Sequence, residues 1–116
     1  MCGFIGIASK EKIRSNNLES ENKRIICRGP DETKYVKEES SDLSLELIFN
    51  RLSILELSQY GSQPLISKDK NYLLMFNGEI FNYIELKKYL EKYNIVYNSK
   101  NSDSEVLFHG LINEGH

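Results

Sequence analysis

Hydrophobic and polar positions along the chain fall into short stretches that predict strands. Residues 4–8 form an apolar run bounded by polar residues, which predicts a buried strand. Residues 33–37 alternate weakly, whereas residues 43–51 alternate strongly apart from Ile48, so the second stretch predicts a half-buried strand. Residues 72–76 are continuously apolar, and such a run is typical of a central strand.

Polar stretches separate these predicted strands. Residues 9–24 are polar and charged, which predicts a surface loop followed by a helix that ends near Cys27. Residues 28–31, with the sequence Arg-Gly-Pro-Asp, have strong turn chemistry, and residues 38–42 predict a polar turn. A chain that mixes strands with helices in this order predicts a layered α/β or α+β fold.

Two helices are predicted from capping boxes, in which an N-cap side chain and an acidic side chain three residues later satisfy the first N–H groups. Asn82 with Glu85 begins one helix, and Ser102 with Glu105 begins the other, which Gly115 is expected to end. In the first helix, apolar residues recur at helical spacing and form one face; they are Tyr83, Leu86, Leu90 and Tyr93.

Composition and charge exclude several classes of function. The 116 residues are 40% hydrophobic and 28% charged, which is typical of one soluble globular domain. A net charge of −2 gives no reason to expect nucleic acid, and the apolar runs are too short to span a membrane. Without an export signal, we expect a cytoplasmic protein with two free thiols, Cys2 and Cys27, although a disulfide between them stays open. No Cys/His spacing indicates a metal site.

Cys2 is the candidate nucleophile because of its position in the sequence. A methionine followed by a small residue is the usual substrate for removal of the initiator methionine, and removal would leave Cys2 with both a thiol and an α-amine. An α-amine can act as a base near neutral pH, and a deprotonated thiol is a strong nucleophile. One residue would then carry nucleophile and base together. The alternative is a small residue that only opens a strand.

Asn77 and Gly78 directly follow an apolar run. Asn-Gly is the strongest hairpin-turn dipeptide, so a simple turn is one interpretation. The flanking pattern, however, is strand then helix rather than strand then strand. An asparagine side chain and an exposed glycine N–H at such a point could supply two converging donors to an oxyanion.

Three charged residues are weaker candidates for substrate binding. Arg51 follows the alternating strand and could grip a carboxylate with two parallel hydrogen bonds, although a solvated arginine at a strand end is common. Glu79 and Asp103 could together hold an ammonium group, although each could equally be a cap or helix-dipole residue. A cysteine nucleophile, a pair of oxyanion donors, a carboxylate clamp and an ammonium clamp are together the groups needed to bind a free amino acid and attack its side-chain amide.

Several short segments of this chain resemble motifs of the glutaminase domain of class II glutamine amidotransferases, and they follow one another in the same order. The nearest resemblance is to glutamine-hydrolysing asparagine synthetases, and it covers nearly the entire chain. Glucosamine-phosphate synthases and purine amidotransferases resemble it less, because they carry a different arginine segment and lack Glu after Asn-Gly. The segments are MCGFIG at 1–6, RGPD at 28–31, RLSIL at 51–55 with GSQPL at 61–65, NGEIFNY at 77–83 and SDSEV at 102–106.

The resemblance implies a role for each matching residue. Cys2 would be the nucleophile, and Asn77 and Gly78 would form the oxyanion hole. L-glutamine would be the substrate. Its α-carboxylate would be held by Arg51, and its α-ammonium group by Glu79 and Asp103. The 28–31 turn would be structural. Residues lining the pocket would be Leu52, Ser53, Ile54 and Leu55.

The resemblance also implies the wider architecture. The expected fold is α+β, the four-layer α/β/β/α sandwich of N-terminal nucleophile hydrolases. Residues 1–116 would be the N-terminal part of that domain, in truncated form. Ammonia would pass to a synthetase domain or subunit that uses ATP and Mg²⁺ to amidate aspartate, and no cofactor is expected on this chain.

Three points stay open at this level. The family's usual histidine before Arg-Gly-Pro-Asp is Cys27 here, so the local packing is uncertain. The ammonia acceptor could instead be a sugar acid or another metabolite, and a homo-oligomer stays open. A third interpretation is a non-catalytic truncated remnant that binds glutamine weakly or not at all.

Overall fold

A computed structural model describes residues 2–13, 17–54 and 56–115, and its fold is α+β. The chain forms two compact units, residues 1–52 and residues 53–116. In the first unit the elements are β1 (Gly3–Ser9), α1 (Asn17–Asn22), a 3₁₀ turn (Ile26–Arg28), β2 (Glu32–Glu39) and β3 (Ser44–Arg51). In the second they are a 3₁₀ turn (Gln59–Gly61), β4 (Leu65–Ile66), β5 (Leu73–Leu74), α2 (Tyr83–Tyr89), a 3₁₀ turn (Leu90–Tyr93) and α3 (Asp103–Glu114).

The first unit is built on an antiparallel sheet with the strand order β1-β3-β2. Gly3 at the start of β1 pairs with Asn50 near the end of β3, and Arg51 at that end pairs with Glu32 on β2. This register brings the beginning of the chain beside the end of β3. The sheet therefore places the candidate nucleophile near the candidate carboxylate clamp.

The prediction of a half-buried strand at residues 43–51 is right about the strand and wrong about its burial. Beside the apolar Leu47 and Phe49, the polar residues of β3 are also buried. Each has a partner: Lys37 Nζ lies 2.8 Å from the Glu46 carboxylate, and Asn50 accepts a hydrogen bond from the Thr33 hydroxyl at 2.9 Å. Alternation reports one covered face, whereas a central strand can be covered on both.

The apolar run at residues 4–8 forms a strand, as predicted, but this strand is not buried. β1 lies at the edge of the three-stranded sheet, where Phe4 is 43% and Ile7 36% exposed. The Phe4 ring stacks on Phe49 of β3, with ring centroids 6.4 Å apart. An edge strand lacks a neighbour on one side, so its apolar side chains are covered less completely.

The Arg-Gly-Pro-Asp turn packs directly against β3. The Asp31 N–H donates to the Arg51 carbonyl oxygen at 3.1 Å. A Cβ atom added at Gly29 would lie 2.2 Å from the Asn50 carbonyl oxygen and 2.7 Å from the Arg51 carbonyl carbon. Glycine is required here because the two backbones approach each other closely, and the predicted structural turn is confirmed.

In the second unit, the prediction of a central strand at residues 72–76 is wrong. Only Leu73 and Leu74 form a strand, β5, and it pairs only with the two-residue β4. Leu73 is 36% exposed. A continuous apolar run gives no information about how many neighbouring strands are available to pair with it.

The predicted helix starts are confirmed, but the predicted caps differ. Asn82 precedes α2 without a side-chain hydrogen bond to the helix. Ser102 precedes α3 and accepts the Glu105 N–H at 3.2 Å, which is one half of the capping box. The Glu105 carboxylate instead accepts the Ser99 N–H at 2.9 Å. Gly115, with φ of 82°, ends α3 as predicted. Among the described residues, every helix is too short or too polar to be a candidate membrane span.

Candidate active site

The Cys2 side chain is held by the backbone at the end of β3. Its Sγ accepts a hydrogen bond from the Leu52 N–H at 3.3 Å, and the thiol donates to the Leu52 carbonyl oxygen at 3.7 Å. Cys2 is half-buried and its thiol is free. Two contacts to the backbone of one residue fix the direction of the sulfur, which a nucleophile needs if it is to meet a bound substrate.

Arg28 covers the beginning of the chain. Its Nε donates to the Cys2 carbonyl oxygen at 3.3 Å, and a Cβ atom at Gly3 would lie 3.3 Å from the Arg28 Cβ. The motif at residues 28–31 predicts a structural turn but not this contact. The arginine inside the turn motif is visible in the sequence. Its contact with Cys2 forms because the turn packs against β3, the strand that pairs with β1.

Arg51 is the last residue of β3 and is only 6% exposed. Its Nη1 lies 3.4 Å from the Glu32 carboxylate on the neighbouring strand. The guanidinium group has five N–H donors in a rigid planar fork, a geometry that matches a carboxylate. Binding of a substrate carboxylate by Arg51 stays a prediction.

The Asn-Gly-Glu segment (residues 77–79) is exposed, but the backbone on both sides of it is held by buried side chains. Before it, the Phe76 N–H donates to the Gln63 side-chain oxygen at 2.6 Å. After it, the Ile80 N–H donates to the Asp103 carboxylate at 3.0 Å. Gln63 is 6% and Asp103 8% exposed. Asp103 therefore contacts the residue that directly follows the Asn-Gly-Glu segment, whereas its predicted role with Glu79 in holding an ammonium group stays a prediction.

The chain leaves β5, passes through irregular backbone and enters α2, so the strand-then-helix context of Asn77 is confirmed and a hairpin is excluded. The Phe76 ring packs over Gly78, since a Cβ atom at that glycine would lie 2.7 Å from the ring Cζ. An alanine there would require the ring to move.

Asp103 belongs to a network of buried polar groups at the start of α3. Its second carboxylate oxygen accepts the Ser104 N–H at 2.7 Å. The Glu105 carboxylate accepts the N–H groups of Asn98 and Ser99, and the Ser99 hydroxyl is bonded to the Glu56 carboxylate. These bonds fix the loop that leads into the helix. The sequence pattern predicts no role for this loop or for Gln63, although Gln63 lies within the Gly-Ser-Gln-Pro-Leu motif at residues 61–65.

The remaining predicted pocket residues are in different environments. Leu52 and Ser53 are half-buried, and Ile54 is 67% exposed. Leu55 lies outside the described residues. Cys2, Arg51 and Leu52 belong to the first unit and the other candidates to the second. The convergence of Cys2 with Asn77 and Gly78 stays a prediction.

Within residues 2–13, 17–54 and 56–115, no three side chains of His, Cys, Asp or Glu are grouped so that they could hold a metal ion.

Comparison with known proteins identifies the family. A profile described as glutamine amidotransferase domain matches residues 1–116. Asparagine synthetase [glutamine-hydrolyzing] 1 of Bacillus subtilis is 39% identical over an alignment of 112 residues, which covers 92% of this chain and 17% of that protein. The corresponding protein 2 of B. subtilis is 38% identical, over 94% of this chain and 14% of the relative. A putative asparagine synthetase [glutamine-hydrolyzing] 2 of Methanocaldococcus jannaschii is 35% identical, over 92% of this chain and 23% of that protein.

The chain spans less than a quarter of the length of each of these three relatives, between 14% and 23%. The family profile matches residues 1–116, a range that includes the cysteine, arginine and Asn-Gly-Glu positions described above. On this evidence the chain belongs to the class II glutamine amidotransferase family.

Proposed function

We propose that this chain is the glutaminase part of an asparagine-synthetase-like amidotransferase, which hydrolyses the side-chain amide of L-glutamine to glutamate and ammonia. The observation that carries the proposal is the Cys2 thiol, held half-buried by the Leu52 backbone beside the buried Arg51. Membership of the glutamine amidotransferase family supports the choice of substrate.

The proposed reaction begins after removal of Met1, which gives Cys2 a free α-amine. The amine takes the thiol proton, and the thiolate forms a bond to the amide carbon of glutamine. The carbonyl oxygen becomes an oxyanion that accepts hydrogen bonds from the Asn77 side chain and the Gly78 N–H. The C–N bond breaks, and ammonia leaves with the proton from the α-ammonium group. Water then hydrolyses the γ-glutamyl thioester and restores the thiol.

Substrate recognition in this proposal uses opposite charges at the two ends of the α-carbon. Arg51 pairs with the α-carboxylate, and Glu79 and Asp103 with the α-ammonium group. The pocket is completed by Leu52, Ser53, Ile54 and Leu55.

The wider assembly follows the asparagine synthetase relatives. Residues 1–116 would be the N-terminal part of a four-layer sandwich of the N-terminal nucleophile type. Ammonia would be used by a synthetase domain or subunit, where ATP and Mg²⁺ support amidation of aspartate in the cytoplasm. A different acceptor, such as a sugar acid, would leave the glutaminase chemistry unchanged. A second assembly partner could be another copy of the chain.

The direct test is covalent labelling by diazo-oxo-norleucine, a glutamine-like electrophile. Intact-mass measurement first establishes whether Met1 is absent. We expect the processed chain to gain one adduct, located on Cys2 by peptide mass spectrometry, and glutamine to slow the labelling by competition. A chain prepared with Met1 retained should label far more slowly, because its Cys2 nitrogen is an amide and cannot act as the base.

The contradictory outcome is a processed chain that gains no adduct, or one that labels equally on Cys2 and the exposed Cys27. Either result would favour the non-catalytic remnant.

The role of Asp103 can be separated from its contact with Ile80. In Asp103→Asn the side chain keeps one oxygen that can accept the Ile80 N–H, but it loses its negative charge and the acceptor for the Ser104 N–H. We expect kcat/KM for glutamine to fall about 10- to 100-fold, because a charged hydrogen bond is lost. Hydrolysis of glutaramate, which is glutamine without its α-amine, should change by less than about threefold.

The matched control is Asp42→Asn in an exposed polar turn, which should leave both substrates unaffected. If Asp103→Asn reduces glutaramate and glutamine hydrolysis equally, Asp103 does not act on the α-ammonium group.

A further inference from the structure

Gln63 holds the backbone directly before the Asn-Gly-Glu segment. It is 6% exposed, and its side-chain oxygen accepts the Phe76 N–H at 2.6 Å. Phe76 is the residue that precedes Asn77, and its ring packs over Gly78. The acceptor on Gln63 therefore fixes the peptide that leads into the segment, and through Phe76 it also restrains the ring against which the glycine rests.

The other end of the same segment is held independently. The Ile80 N–H donates to the buried Asp103 carboxylate, which the start of α3 supports through Ser104. Two buried acceptors, from parts of the sequence 40 residues apart by their numbers, thus restrain three exposed residues between them. Backbone N–H groups that are exposed but held at both ends can donate to a ligand without first being reoriented, which is the property an oxyanion site requires.

We propose that Gln63 is a positioning residue of the reaction, which acts by holding Phe76 so that Asn77 and Gly78 are oriented toward the oxyanion. The inference rests on the proposed glutaminase function. Gln63 itself does not touch the substrate. Its effect is on the transition state, since the oxyanion forms only there, so its loss reduces kcat and leaves substrate binding nearly unchanged.

The test uses three substitutions in the Met1-processed chain. Gln63→Met has similar length and no acceptor, Gln63→Glu keeps an oxygen acceptor, and Gln59→Met is the matched control in an exposed 3₁₀ turn. For Gln63→Met we expect kcat for glutamine to fall about 10- to 100-fold, with KM within about twofold of the original value. Gln63→Glu should recover most of this loss, and Gln59→Met should show none.

Two further measurements separate positioning from general damage. Alkylation of Cys2 by iodoacetamide forms no oxyanion, so its rate should be unchanged in Gln63→Met when read by peptide mass spectrometry. Amide hydrogen exchange should become at least about tenfold faster at Phe76 in Gln63→Met but not in Gln63→Glu, because one hydrogen bond protects that N–H.

Each failure has a distinct meaning. If amide exchange at Phe76 is unchanged in Gln63→Met, Gln63 does not restrain the Phe76 N–H. If that exchange is faster but kcat is unchanged, Gln63 restrains Phe76 without contributing to the reaction. A parallel loss of kcat and of Cys2 alkylation also overturns positioning, since it indicates a distorted unit. A chain without any glutaminase activity before substitution overturns the proposed function and the catalytic role together, while the exchange result still decides the hold on Phe76.

Discussion

Replacing Cys2 by alanine is expected to lower the glutaminase kcat by about 10⁴-fold or more, because the atom that forms the thioester is removed. The fold should be little affected. The Cys2 side chain is half-buried, and its hydrogen bonds, one of them a long thiol contact, go to the N–H and the carbonyl oxygen of Leu52. We expect a cost in unfolding free energy of about 1 kcal/mol, the value of one ordinary hydrogen bond. Ammonia release and thermal unfolding measure the two effects separately.

Cys27→Ala is the matched control for this prediction. Cys27 is a free, exposed cysteine, so its loss should change neither activity nor stability. Residual activity of Cys2→Ala above about one per cent of the original rate would show that another group performs the attack.

Gly29→Ala is expected to reduce the free energy of unfolding by about 3 kcal/mol, at the upper end of the usual cost of overpacking. The added Cβ would lie 2.2 Å from the Asn50 carbonyl oxygen, and backbone cannot rotate away as a flexible side chain can. The φ of Gly29 is −151°, which other residues also adopt, so space rather than conformation is the reason. Activity should fall as well, because the displaced turn is bonded to Arg51, next to the peptide that holds Cys2.

Gly110→Ala provides a control of opposite sign. Gly110 lies inside α3, and the nearest atom to an added Cβ is the Leu90 Cδ1 at 3.7 Å, an ordinary contact distance. Alanine has the higher helix propensity, so we expect stabilisation of about 0.5–1 kcal/mol. Urea denaturation of both variants makes the comparison, and a Gly29→Ala chain as stable as the original would refute the argument from close approach.

Local sequence patterns located most elements but misjudged how they pack. The capping signal at Ser102 and the glycine at 115 predicted both ends of α3, because each depends on hydrogen bonds or backbone angles within a few residues. The apolar runs at residues 4–8 and 72–76 gave the wrong environment. Whether such a run is central or at an edge depends on which strands lie beside it, and those strands are distant in sequence.

Candidate chemistry followed the same division. Cys2, Arg51, Asp103 and the Asn-Gly-Glu segment could be proposed from residue type and motif order, because the chemistry of a nucleophile or an oxyanion donor belongs to the residue itself. The contacts that support these residues could not be proposed in this way. Leu52 reaches Cys2 only through the β1–β3 register, and Gln63 reaches Phe76 only after the chain folds back over 13 residues.

The sequence by itself determined the family, through a set of short motifs in a fixed order, and both ends of the main helix, each of which depends on a few adjacent residues. It also proposed the reacting groups, whose roles stay predictions. The tertiary structure decided the burial of β3, the requirement for glycine at position 29 and the hold on both sides of the Asn-Gly-Glu segment. These features come from contacts between residues far apart along the chain. The closure of such contacts depends on packing of the whole unit, which no local pattern records.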